Sequence, residues 1–309
     1  MNILVIAYCR PTRLRSLLLD LHSRGAKLFV SLDGANTEDC RRLPLQRECE
    51  AIVKQFKQDG LIFESRIASV NLGCRAHIRD AVTWFFEYNS EGLIVEEDLV
   101  LSPNAFEFIE SNRHSLLRVD IFALCLFSPL KPRDNAYLVN HWNPWVWYST
   151  AEKWRKVVAY IDKPILPKYS LGSRFRRLSV RIYLTNIIKG TVKGKIDTWD
   201  AQVHAAIIFK RMYCVFPKKN LTLHVGYDSV ATHSGSHNIW SEKEIDLDRI
   251  AFKYQSLKKD LDEGLWLNRR YENAFKMTLI SLSSAFAPTW VLKIWKWGRF
   301  YTKFFSFRD

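Results

Sequence analysis

The feature that most narrows the fold is an alternation running through residues 3–95, in which short apolar runs take turns with segments of helical spacing. Ile3–Ala7 is a compact apolar run of strand length. Pro11–His22 follows with Leu14, Leu17, Leu18 and Leu21 at helical spacing and Gly25 as a stop signal. Leu28–Leu32 predicts a second strand ending in the turn Asp33-Gly34. Leu45–Gln58 predicts a helix, Leu61–Ile67 a strand, Arg75–Tyr88 a helix and Leu93–Val95 a strand. Fully apolar strands separated by helices predict a parallel α/β sheet covered on both faces. Such sheets bind ligands at the carboxyl ends of their strands. Arg10, Asp33 and the run Glu96-Glu97-Asp98 all fall at those ends. A dinucleotide fold is disfavoured, because the first strand turns through Tyr8-Cys9-Arg10-Pro11 with no glycine pattern.

The acidic run is the strongest chemical signal. Three consecutive carboxylates at a strand end repel one another and cost desolvation. Either they form a solvated acidic turn, or a cation offsets them, for which a divalent metal carrying phosphates is suited.

Composition bears on partners. Hydrophobic residues at 48% and charged residues at 25% exclude disorder, and 309 residues can bury a full core. The net charge of +14 and the 11 tryptophans favour a polyanion as partner or neighbour. Cysteines 9, 40, 49, 74, 125 and 214 show neither a Cys-x-x-Cys pair nor zinc spacing, as expected of reduced intracellular thiols. No secretory signal and no apolar run long enough to span a bilayer is present.

Further along, the indoles of Trp142, Trp145 and Trp147 suit a core as well as a sugar-facing wall. Lys163–Lys195 holds nine Lys/Arg and no acidic residue. Ile196–Phe209 predicts a helix entered through Asp197-Thr198-Trp199-Asp200, and 242–275 a charged helical segment. Pro288–Phe307 interleaves Lys293, Lys296, Arg299 and Lys303 with Trp290, Trp295, Trp297, Phe300, Tyr301, Phe304 and Phe305. At 100° per residue those four basic groups share one arc and most aromatics lie opposite, the pattern of a helix lying in a membrane interface; a terminal helix docked on the core is the alternative.

The order strand-x-Arg, strand-Asp, Arg75-x-His77-x-Arg79, Val95-Glu96-Glu97-Asp98 and Trp199-Asp200 resembles GT-A fold nucleotide-sugar glycosyltransferases. The pattern is most similar to the inverting N-acetylglucosaminyltransferase I family and its bacterial relatives. The resemblance covers roughly residues 3–235. It implies an α/β GT-A fold, Rossmann-like with a mixed and mostly parallel sheet flanked by helices, over residues 1–240. Residues 241–309 would form a helical C-terminal extension ending in the basic aromatic membrane-associating segment.

The resemblance further implies that Arg10, Asp33 and His77 hold the nucleotide, that Glu96 and Glu97 contact ribose and sugar, and that Asp98 binds Mn²⁺ or Mg²⁺. Two departures stand out: Glu97 replaces the family's middle Asp, and Ala201 stands where the family's catalytic base falls. Asp200 is the expected base, with an acceptor hydroxyl contact or helix cap as alternatives. His233, in Val225–His233, resembles a loop His near the diphosphate or metal. The implied activity is metal-dependent transfer from a UDP-sugar, GlcNAc-like, to a glycan acceptor, lipid-linked, with inversion, in bacterial O-antigen, capsule or lipopolysaccharide synthesis. The implied location is cytoplasmic, peripheral on the inner face of the membrane. Nucleic acid is not expected as partner, since no nucleic-acid motif is present. A basic nucleic-acid binder and a non-catalytic GT-A-like scaffold are the alternatives.

Overall fold

The computed structural model describes residues 1–128, 135–139, 142–161, 189–190 and 199–225. Within these, eight strands make one sheet in the order β3-β2-β1-β4-β8-β6-β9-β7, and a two-strand ribbon pairs β10 with β5. The elements are β1 (Asn2–Ala7), α1 (Pro11–Ser23), β2 (Lys27–Leu32), α2 (Leu43–Gln58), β3 (Glu64–Ile67), α3 (Gly73–Tyr88), β4 (Glu91–Glu96), β5 (Leu99–Leu101) and α4 (Ala105–Asn112). After a 3₁₀ turn come β6 (Ile121–Cys125), β7 (Tyr137–Val139), β8 (Val146–Thr150), α5 (Ala151–Ile161), α6 (Asp200–Phe209), β9 (Tyr213–Phe216) and β10 (Thr222–His224).

β1 pairs in parallel with β2 and β4, and β2 with β3. β8 runs antiparallel between β4 and β6, β6 and β9 are parallel, and β7 is antiparallel to β9. This is the Rossmann-like, mixed and mostly parallel α/β fold that the sequence predicts. The expected helical extension over 241–309 lies outside the described residues.

Side chains alternate across the sheet because the strand period is two. Ile3, Val5 and Ala7 face a core with α1, α2 and α4, whereas Leu4 and Ile6 face a core with α3, α5 and α6. Both faces being covered explains why the strands read as unbroken apolar runs. The second core is aromatic: Trp142 and Trp147 are 1% and 0% exposed, and their rings sit 5.4 Å apart at 79°. Trp199 packs edge-on to Trp142 at 5.0 Å. Two of the three clustered tryptophans therefore belong to the core, and Trp199 roots the start of α6 in it.

Candidate active site

Because β1, β2 and β4 are parallel and in register, their carboxyl ends form one rim. Ala7 lies opposite Leu32 and Ile6 opposite Glu96. The backbone continues that pairing past the strands, with Asp33 N–H donating to Ala7 O at 3.0 Å and Glu97 N–H to Ile6 O at 2.9 Å. Arg10, Asp33 and Glu96-Glu97-Asp98 are thereby brought together.

Arg10 stands at the N-cap of α1 with non-helical backbone (φ −120°, ψ 73°). Its Nη1 lies 3.0 Å from Asp98 Oδ2 and 3.8 Å from Glu97 Oε1. Glu97 is 3% exposed, and its Oε1 accepts the Cys9 N–H at 3.1 Å. Asp98 is 4% exposed. Two carboxylate oxygens here, Glu97 Oε2 and Asp98 Oδ1, are buried with no hydrogen-bond donor among the described residues.

The charge balance is unfavourable, and the carboxyl groups respond to it. Burial pushes Glu97 up to about 7, against the opposing pull of Arg10 and of the Tyr8 and Cys9 N–H groups. Half-buried Glu96 is raised well above the ordinary carboxylate range, by desolvation first and then by the negative charge of Asp98, with Arg10 opposing and Asp200 and Glu97 adding. Asp200, the first residue of α6, is near enough for its charge to add to the rise of Glu96. Glu97 and Asp98 thus share the Arg10 guanidinium, with Glu96 and Asp200 adding negative charge nearby.

The Asp33 carboxylate is engaged by the protein's own N–H groups. Its Oδ1 accepts the N–H groups of Gly34 (2.8 Å) and Leu72 (2.9 Å); its Oδ2 accepts Gly73 N–H (3.1 Å) and Asn71 Nδ2 (3.2 Å). The carboxylate therefore holds the entry to α3, satisfying N–H groups that a helix start leaves open. Gly34 and Gly73 make this possible. A Cβ on Gly34 would run into the Val70 carbonyl, and Gly73 has φ +77°. Fixed this way, α3 delivers His77 to Ser31, with Nε2 3.0 Å from Oγ. Burial holds the His77 imidazole below its ordinary pKa, against the opposing fields of Asp33 and Asp80.

One site residue is invisible in the sequence pattern. β10 pairs antiparallel with β5, His224 opposite Leu99, and Val225 N–H donates to Asp98 O at 2.9 Å. His224 Nε2 consequently lies 3.7 Å from Asp98 Oδ2, and the imidazole packs on Trp145 with centroids 4.8 Å apart. Trp145, half-buried, is the member of the tryptophan cluster that reaches the site. The only signal for His224 is a polar residue closing the short alternating stretch Leu221-Thr222-Leu223. His233 lies outside the described residues. Among the described residues there is no group of three or more His, Cys, Asp and Glu able to hold a metal by itself.

No protein-family model and no curated protein matches the chain. Among solved structures it is similar to S. aureus TarS 1–349, with a TM-score of 0.42 and 11% identity, over 73% of this chain and 61% of that one. The longer S. aureus TarS structure gives a TM-score of 0.42 and 9% identity over 74% and 37% of the two chains. The apo-form glycosyltransferase GlyE of Streptococcus pneumoniae TIGR4 gives 0.27 and 12% over 62% and 43%. The chain spans less than two thirds of the length of each of these three structures.

Proposed function

We propose that the rim is the site of a nucleotide-sugar glycosyltransferase. The carrying observation is the excess of negative charge there, with Glu97 Oε2 and Asp98 Oδ1 buried and without donors among the described residues. Unsatisfied buried carboxylate oxygens are costly, and a hard divalent cation with oxygen ligands suits them. Asp98 would hold Mn²⁺ or Mg²⁺, with His224 beside it. Diphosphate oxygens and water would supply the further oxygen ligands such an ion needs. When bound, the ion would offset the charge that develops on a leaving nucleoside diphosphate.

The chain's own residues supply the rest. Arg10 and the α3 entry held by Asp33 border the nucleotide, and His77 stays neutral to hydrogen-bond rather than repel or attract charge. Glu96 offers a carboxyl to the hydroxyls of ribose or sugar. Asp200 takes the proton of the acceptor hydroxyl as its oxygen bonds the anomeric carbon, while the nucleoside diphosphate leaves from the opposite face. That geometry inverts the sugar. The donor is read as a UDP-sugar, GlcNAc-like, and the acceptor as a lipid-linked glycan of a bacterial surface polysaccharide. The net charge of +14 supports work at an anionic membrane face. Pro288–Phe307, the proposed contact, lies outside the described residues.

Thermal shift tests the core of this reading, since a ligand that binds only the folded state raises its melting temperature. UDP-sugar should raise Tm in the presence of Mn²⁺ and not in its absence. Asp98→Asn should abolish that shift; an undiminished shift overturns the metal assignment. Asp200→Asn should keep the shift and lower the transfer rate by about 10²-fold or more. Retained turnover would place the base elsewhere.

A further inference from the structure

Arg10 was expected to face the nucleotide, yet its guanidinium lies on the acid that is to bind the metal. Nη1 stands 3.0 Å from Asp98 Oδ2, with the two side chains only 13% and 6% exposed. The placement is built in. Glu97 Oε1 holds the Cys9 N–H at 3.1 Å, so the acidic run itself pins the loop that presents Arg10. Arg10 O in turn accepts Leu14 N–H at 2.9 Å, which ties the same residue to the first turn of α1. The His224 imidazole approaches the same oxygen at 3.7 Å, so Arg10 and His224 converge on Oδ2, while Oδ1 has no donor among the described residues.

Resting on the reading of this rim as a metal and nucleotide site, we propose that Arg10 is the protein's own counter-cation for Asp98, and that it makes metal loading depend on the donor. A divalent ion approaching Asp98 alone meets a guanidinium already in place and is repelled by it. A nucleoside diphosphate changes the balance by offering the guanidinium a second anion, to which its planar fork is well matched. The arginine moves from carboxylate to phosphate, and the ion takes over at Asp98. Metal and nucleotide then bind with positive coupling, and each must raise the other's affinity by the same factor. Arg10 acts here as a positioning residue.

The test is Mn²⁺ binding to the full chain, read by the electron paramagnetic resonance of free Mn²⁺ with and without UDP. Wild type should bind Mn²⁺ poorly alone. Arg10→Gln should bind it about tenfold tighter without UDP and lose most of the UDP effect. Arg10→Lys, which keeps the charge, should stay near wild type. If Arg10→Gln binds Mn²⁺ alone no better than wild type, while UDP still promotes Mn²⁺ binding to wild type, this proposal is overturned and the site reading stands. If neither protein binds Mn²⁺ even with UDP, the site reading falls and this proposal with it. Arginine ¹⁵N resonances of wild type decide the matter should Arg10→Gln fail to fold. The Arg10 guanidinium signal should be unmoved by Mg²⁺ alone and shift with Mg²⁺ plus UDP; an unmoved signal in both overturns the proposal.

Discussion

His77 is a buried base whose folded pKa is lowered by burial, and this has a defined consequence for stability. The unfolded chain takes up the proton near the ordinary value of 6.5, whereas the folded chain resists it. Stability is therefore complete above pH ~6.5 and falls as pH drops through the window below it. His204, held down to about 4 by burial, adds to the same acid limb. His77→Gln should flatten the pH dependence of the urea midpoint between about pH 6.5 and 5; an unchanged slope would show that His77 titrates normally. Residue roles were unevenly legible. Arg10, Asp33, Glu96, Glu97 and Asp98 could be placed at one set of strand ends from the sequence, whereas His77 and Asp200 came only from the family resemblance. Which of them touch could not be read there, because Asp33 caps a helix that starts far along the chain and Arg10 reaches the acidic run only through folded loop geometry. His224 carries no motif and acquires its place from a three-residue ribbon.

At the level of elements, the boundaries that shifted did so for reasons of hydrogen bonding. The strand predicted over Leu61–Ile67 runs only Glu64–Ile67. Leu61 and Ile62 instead donate their N–H groups to Phe56 O and close the end of α2, beyond Gly60 at φ +77°. α3 starts at Gly73 rather than Arg75 because Asp33 supplies acceptors to its entry, and β4 starts at Glu91 because β8 pairs with it there. Apolar patterning reports burial, and these bonds lie outside what it can report. The Asp33–α3 junction also yields a prediction. Gly34→Ala must displace the Val70–Asn71 backbone to fit its methyl group. It should lower unfolding stability by about 1–3 kcal/mol and weaken UDP binding. Both unchanged would mean that the junction yields without cost.

For the molecule as a whole, charge is the property with reach. The described rim is acidic, so the surplus of +14 resides elsewhere, and Lys163–Lys195 and the last residues account for much of it. Attraction to an anionic surface is screened within about 8–10 Å at physiological salt. The protein should sediment with anionic phospholipid vesicles at about 0.1 M salt and largely release at about 0.5 M. Removing residues 288–309 should halve the bound fraction or better at the lower salt; persistent sedimentation of the truncated chain would assign the contact to another basic region. The order of the sheet has one more implication, for how the chain comes into being. Strands β3, β2, β1 and β4 pair only within residues 2–96 apart from the flank that β4 offers to β8. On a ribosome, that half can assemble before β8 exists, since synthesis runs from the N-terminus and nearby pairings close fastest. Arg10 and the acidic run that pins its loop both belong to that half, whereas His224 comes last. Of the two side chains that reach Asp98 Oδ2, Arg10 is therefore the one available while the half-sheet stands alone, and the imidazole joins it only once the ribbon has closed.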